Sequence, residues 1–299
     1  MTARTGSPVW TSLLFVPADR EDRVAKAGRS GADAVILDLE DAVSIEAKKQ
    51  ARASLQRSAA TLRQAGCSVI VRINTPWRLA IDDIAAACAA GVDAIMVPKI
   101  EDAARLATLA DMLAEYEADR HEAAETAMLA LIESPAALDR LAAIAAAPRV
   151  IGLALGSEDF ALTLGVEPTA KSLDLPCRQI ALAAAARGQM ALGLPISLTE
   201  FRDLEAYAAA VAAARAVGMT GALCIHPAQV GPVAAGFRRA PAEIAAAQAI
   251  LAAWDRPDRG GRMAISVAGR MVDLPVVKRA RRTLQAAEAI TTRSGDEHA

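Results

Sequence analysis

One pattern recurs eight times along this chain and limits its fold more than any other feature: a short apolar run followed by a helix-like stretch rich in alanine. The runs are Leu13–Val16, Ala34–Leu37, Ser68–Ile73, Ala94–Val97, Ala127–Ile132, Val150–Leu155, Leu194–Ser197 and Gly221–Ile225. They are near-continuously apolar rather than alternating, as expected of strands covered on both faces. Between them lie helical stretches such as Ile45–Gln64, Asp102–Ala118, Ser134–Ala147 and Glu200–Val217. Gly66, Gly91 and Gly218 stand where a helix would end in a left-handed residue. Eight such repeats over residues 1–237 predict the α/β class, a TIM (β/α)8 barrel. Residues 238–299 break the pattern. Ala242–Trp254 reads as a helix, RPDRGGR as a polar break, MAISVAGRMVDLP as extended chain and Val276–Ile290 as an amphipathic helix, with TTRSGDEHA frayed. They predict a C-terminal helical and extended appendage, or lid.

Composition narrows the function classes. Of 299 residues 54% are hydrophobic, enough for a large core and against disorder. A net charge of −2 and an aromatic content of 3% argue against a nucleic-acid partner. No run approaches the roughly 18 apolar residues of a membrane span, so no membrane partner is expected. Cys67, Cys88, Cys177 and Cys224 form no C-x-x-C pair and the start lacks a secretory pattern, which predicts a cytoplasmic chain with reduced thiols. His121, His226 and His298 have no ligand spacing, so a metal would sit on carboxylates, pointing to Mg²⁺ or Mn²⁺.

A barrel carries its chemistry at the C-terminal ends of its strands, and here those ends are polar. They read Asp38-Leu39-Glu40-Asp41, Arg72-Ile73-Asn74, Pro98-Lys99, Glu133, Gly156-Ser157-Glu158-Asp159 and His226-Pro227. Each has a structural reading beside the chemical one. Acids such as Asp41 and Asp159 also cap helices. Arg72, inside an apolar run, requires a partner whether or not it binds substrate. Lys99 suits either a Schiff base or an ion pair. His226, between a strand and a proline, suits a structural role.

Taken together, SLLFVPADREDRVAKA, GADAVILDLEDAV, VRINTPW, GVDAIMVPKIED, ALIESPAAL, ALGSEDFAL, CIHPAQV and GRMVDLP resemble the HpcH/HpaI aldolase/citrate lyase superfamily, and within it the citrate lyase β-subunit-like (CitE-like) CoA-ester lyases. The resemblance spans nearly the whole chain, in the family's order. It departs from the family pattern at Trp10 and Thr11, where many relatives carry an arginine, and at Pro17-Ala18, where many have Pro-Gly; these bear on acyl-carrier contacts.

The resemblance implies a divalent metal and a homotrimer, or a hexamer of two trimers. By position, Glu133 and Asp159 would be the metal ligands. Glu133 would thereby contact substrate, and Arg72 would bind the substrate carboxylate or carbonyl. Glu40 and Asp41 would hold metal-bound waters. Asp273, on the appendage, would be an acid/base reaching a neighbouring subunit's active site. Two carboxylates occupy two of six octahedral positions and leave the rest open to water and a chelating oxo acid. The implied reaction is Mg²⁺-dependent cleavage or formation of a 3-hydroxyacyl-CoA, such as malyl-CoA or citramalyl-CoA, to or from an acyl-CoA and a 2-oxo acid (glyoxylate or pyruvate). Hydrolysis of the thioester is an extension of it. The alternatives are a class II aldolase on free 2-oxo-4-hydroxy acids and a citrate lyase β subunit fed by an acyl-carrier protein. The aldolase branch uses a histidine soon after the second strand, and this chain has none before His121.

Overall fold

The computed structural model describes residues 9–118, 125–256 and 263–295, with side chains as far as residue 287. His121 and His298 lie outside the described residues, as do parts of RPDRGGR and the last four residues. Eight parallel strands form the sheet: β1 Ser12–Pro17, β2 Ala34–Asp38, β3 Ser68–Arg72, β4 Ala94–Val97, β5 Ala127–Ile132, β6 Val150–Leu155, β7 Met190–Leu192 and β8 Ala222–Cys224. The hydrogen-bonded order is β7-β6-β5-β4-β3-β2-β1-β8, and a parallel bridge from Leu192 to Gly221 joins the last edges. The ring is a TIM barrel. Its helices are α1 Glu21–Ala27, α2 Lys48–Gln64, α3 Trp77–Ala89, α4 Ala103–Ala118, α5 Pro135–Leu138, α6 Leu141–Ala146, α7 Ser157–Leu164, α8 Ala170–Ala185, α9 Leu204–Ala216 and α10 Pro227–Phe237. Gly66, Gly91 and Gly218 take φ of 79°, 60° and 103° and end α2, α3 and α9.

The seventh strand differs from expectation. It is Met190–Leu192, not Leu194–Ser197. Gly193 turns the chain at φ 143°, and Pro195 has no N–H to give a ladder. The helix expected over Ser134–Ala147 is two pieces, α5 and α6. The one expected from Glu200 starts at Leu204, because the Asp203 carboxylate caps it by accepting the Ala206 N–H at 2.9 Å.

A second compact unit begins at Arg238. It comprises α11 Pro241–Trp254, the antiparallel pair β9 Ala264–Val267 and β10 Arg270–Asp273, and α12 Leu274–Gly295. Ala268 and Gly269 both take positive φ in the two-residue hairpin turn. Trp254, Val272 and Val277 are its buried core. Residues 291–295, expected to fray, continue α12. Among the described residues no helix is long and apolar enough to cross a membrane.

Strand parity positions the site. Leu13, Ile36, Ile70, Met96, Leu131 and Leu223 fill the barrel interior, whereas Leu14, Val35, Leu37, Val69, Val71 and Val97 pack outward under the helices. Side chains alternate faces along a strand. Two residues beyond Ile36, Ile70 and Leu131 on the inward side come Asp38, Arg72 and Glu133. The apolar core thus gives way to charge at the barrel's C-terminal mouth.

The turn after β2 is clamped from both sides. The Asp38 carboxylate accepts the N–H groups of Glu40 and Ala42 at 2.9 and 3.1 Å. The buried Lys48 ammonium donates to the carbonyls of Leu39 and Glu40, both at 2.6 Å. Replacing Lys48 by Met removes both bonds, although the Leu39 carbonyl keeps the Asn74 side-chain amide at 2.9 Å and the Glu40 carbonyl keeps the Val43 N–H at 3.5 Å. The expected result is a fall of about 1–3 kcal/mol in unfolding free energy, read as a lower urea midpoint with an unchanged slope.

Candidate functional site

Arg72 ends β3 with its side chain only 12% exposed. Its Nε and Nη2 donate to the two carboxylate oxygens of Asp38 at 2.7 and 2.6 Å, a parallel two-point pair. Nη1 lies 3.2 Å from Glu40 Oε2 and 3.6 Å from Asp41 Oδ2, and the guanidinium stands over the Phe15 ring at 5.0 Å. Burial disfavours the charge, but the Asp38 hydrogen bonds and the neighbouring acids more than offset it, and the pKa is raised. With Nε and one Nη2 N–H committed to Asp38, a substrate oxygen can take the second Nη2 N–H or share Nη1, which also faces Glu40 and Asp41.

Lys99 follows β4. Its ammonium is 3.0 Å from Glu40 Oε1 and 3.7 Å from Asp41 Oδ1. Burial lowers its pKa, yet the Glu40 hydrogen bond and charge reverse this and raise it. It is an ion-pair lysine, kept protonated and so unsuited to Schiff-base attack. Its backbone, at φ 52°, turns the Lys99 N–H onto Glu133 Oε2 at 2.7 Å.

Glu133 follows β5 and is 4% exposed. It packs on the backbone of Gly156, where a Cβ would come within 2.6 Å of Glu133 Cγ. Burial pushes its pKa up to about 8, with the charges of Asp159 and Glu40 acting in the same direction and the Lys99 N–H and Arg72 opposing. Asp159, half-buried in the first turn of α7, faces the same cavity. Glu40 is likewise raised, by burial, and its buried Oε2 makes no aligned hydrogen bond despite the nearby Arg72.

These groups surround one cavity of about 420 Å³, lined on its polar side by Asp38, Asp41, Arg72, Glu133, Glu158 and Asp159 and on its apolar side by Phe15, Leu131, Leu198, Leu223 and Ile225. The barrel therefore brings together Arg72, Asp41, Glu133 and Asp159, with Glu40 paired to Arg72 and Lys99 at the same mouth. Asp273 ends β10 in the second compact unit, where its Oδ1 accepts the Val276 N–H at 3.2 Å and caps α12. His226 is exposed and stacked on Phe201 at 4.7 Å, and its Nδ1 accepts the Ala228 N–H at 3.2 Å. The family resemblance assigns roles to Glu40 and Asp41 but none to Asp38; the inward parity of β2 is the signal that marks it.

A family profile described as HpcH/HpaI aldolase/citrate lyase matches residues 11–227. The chain belongs to that family. A citrate lyase subunit beta-like protein of Deinococcus radiodurans is 35% identical over 91% of this chain and 95% of its own length. A (3S)-malyl-CoA thioesterase of Cereibacter sphaeroides is 34% identical over 93% of this chain and 95% of its own. The crystal structure of CitE from Mycobacterium tuberculosis, in complex with magnesium, acetoacetate and coenzyme A, superposes with a TM-score of 0.74 at 31% identity, covering 94% of this chain and 98% of that one. The chain is therefore one of the citrate lyase β-like branch of a lyase family.

The donor set suits a hard divalent cation. Two carboxylates, one desolvated and like-charged with its neighbour, sit beside a further carboxylate oxygen left without a hydrogen bond. Among the described residues no three His, Cys, Asp or Glu side chains cluster as a metal-holding group, so an ion held by Glu133 and Asp159 would take its further ligands from water or substrate.

Two outcomes follow. Gly156→Ala forces Glu133 off its seat and is expected to weaken divalent-metal affinity by about 10–100-fold, as loss of an orienting partner does, measured by titration with Mn²⁺. In EDTA, Glu133 binds a proton more tightly folded than unfolded, so its contribution to stability is lost as pH rises from about 4.5 to about 8. Melting temperatures over this window should fall in the wild type and flatten in Glu133→Gln.

Proposed function

We propose that this protein is a Mg²⁺-dependent carbon–carbon lyase that cleaves or forms a 3-hydroxyacyl-CoA, of the malyl-CoA or citramalyl-CoA type, with a 2-oxo acid as the other partner. The observation that carries the reading is the meeting of Glu133 and Asp159 with the Asp38-held Arg72 over one cavity. Two carboxylates for a metal and one fixed cation for a carboxylate or carbonyl oxygen match the chelating headgroup of an oxo acid. The relatives named for citrate lyase and malyl-CoA, and the CitE structure holding magnesium, acetoacetate and coenzyme A, support it.

In the cleavage direction the hydroxyl proton leaves, the C2–C3 bond breaks, and its electron pair moves onto the thioester as an enolate. Bound Mg²⁺ would supply Lewis acidity to the two cis oxygens of the oxo-acid half. Glu133 and Asp159 would hold it. Arg72 is charged, desolvated and prevented by Asp38 from swinging away, so its remaining donors are preorganised for the developing negative charge; losing such a donor costs about 10²–10³ in rate. Glu40 and Asp41, held by Arg72 and Lys99, stand where they can orient water or accept the hydroxyl proton. The enolate carbon is protonated by Asp273, carried on the appendage of a neighbouring subunit in a homotrimer or a hexamer of trimers.

The test is release of pyruvate or glyoxylate from a panel of 3-hydroxyacyl-CoA esters, with Mg²⁺ and with EDTA. Cleavage should require the metal. Asparagine keeps the cap on α12 that alanine removes. Asp273→Asn should therefore keep the wild-type melting temperature and lose cleavage at least 10²-fold, in line with the usual worth of an acid/base group. No cleavage of any ester, or full activity in Asp273→Asn, overturns the corresponding part. Pyruvate release from a free hydroxy-oxo acid would instead favour the aldolase alternative.

A further inference from the structure

Gln229, in the stretch CIHPAQV, is fully buried near the start of α10. Its side-chain Oε1 accepts the N–H groups of Ile225 and His226 at 2.8 and 3.0 Å. Its Nε2 donates to the carbonyls of Leu198 and Glu200 at 2.9 and 3.0 Å. A carboxamide has two donors and two lone pairs, and here all four are used. The amide thus rivets the loop after β7 to the end of β8. From the other side, Glu158 Oε1 accepts the Leu198 N–H at 2.9 Å and the Ser197 hydroxyl at 2.7 Å. The Leu198 backbone is held at both its N–H and its C=O, by side chains from the first turns of α7 and α10, which follow β6 and β8.

This brace has no evident task in acid/base chemistry, but it holds two aliphatic side chains at the cavity. Leu198 and Ile225 both line it, and Ile225 is 41% exposed at the barrel mouth. The strand order places β7 four positions from β3, across the ring. An acid anchored by Arg72 at β3 and by the carboxylates after β5 and β6 therefore turns its remaining substituent toward β7 and β8. There it meets Leu198 and Ile225.

We propose that Leu198 and Ile225 form an apolar seat for the alkyl substituent of the 2-oxo acid, that Gln229 is the positioning residue that sets the depth of this seat, and that the protein accordingly prefers an alkyl-bearing acid such as pyruvate to glyoxylate. The proposal rests on the lyase reading for the acid's identity. A methyl group in a fitted apolar pocket is worth about 10–200-fold in discrimination.

The experiment is calorimetric titration of glyoxylate, pyruvate and 2-oxobutyrate into the Mg²⁺-saturated full chain, with CoA-ester cleavage measured in parallel. Wild type should bind pyruvate at least about tenfold more tightly than glyoxylate. In Leu198→Ala that ratio should fall toward one while 2-oxobutyrate gains on pyruvate. Gln229→Met, which cuts the brace without touching the seat, should lower the same ratio, with its melting temperature recorded so that lost fold is told from lost selectivity. Leu198→Val keeps every hydrogen bond and carries the test if Gln229→Met does not fold. Equal binding of glyoxylate and pyruvate by wild type, no binding of any of the three, or an equal loss for all three acids in the Leu198 variants overturns the proposal; the last of these would put the wall against the thioester arm instead. The ranking intact without ester cleavage keeps the seat and retires the lyase reading. Cleavage present with a ranking indifferent to Leu198 does the reverse.

Discussion

Arg72 cannot shed its proton, and β3 delivers it to a place with little water. A buried guanidinium without partners is strongly unfavourable, so the barrel mouth is organised around it. Asp38 meets it at two points, Glu40 and Asp41 approach its remaining nitrogen, and Lys99 balances these acids from β4. Asp38 has a second duty, since its carboxylate also holds the backbone of the turn that carries Glu40 and Asp41. The same side chain thus fixes the cation and the acids around it. Rigidity here is a consequence of charge satisfaction rather than of tight apolar packing.

Two strands further round the ring, after β5, the binding problem is opposite in kind. Glu133 is under electrostatic pressure: buried, pressed against Gly156, and facing Asp159. Its partners are a backbone N–H, which supplies a partial charge, and Arg72 at a distance. A site with a fixed guanidinium at one wall and unrelieved carboxylates at the other suits a ligand that brings an anionic oxygen to the first and a metal to the second. The third wall, after β7 and β8, is apolar and held by neutral amide hydrogen bonds. Three walls of different chemistry are what distinguishes one small acid from another by more than its charge.

Much of the barrel was legible in advance because a doubly covered strand must be apolar along its whole length, and seven of the eight runs were found close to their true limits. Leu194–Ser197 was misread because it is as apolar as a strand; the ladder instead stops at Gly193, and Pro195 offers no N–H to extend it. Asp38 is legible from the inward parity of β2, although family position assigns roles only to its neighbours Glu40 and Asp41. Gln229 carries no local signal, and Glu158 only its place beside Asp159 at a polar strand end. A glutamine near a helix start and a second acid beside Asp159 look like solvated residues until their partners, 29–40 residues away, come into view.

What this sequence determined by itself is local and periodic: eight buried strands, their helix stops at glycine, polar residues at the strand ends and a tail of different pattern. These follow from burial and backbone sterics, which act between near neighbours. The tertiary structure alone decided which charges meet, which hydrogen bonds close the braces, and which aliphatic side chains face the cavity across from Arg72. Those depend on the curvature that brings the end of β3 opposite the end of β7, and no linear spacing encodes a distance across a closed ring.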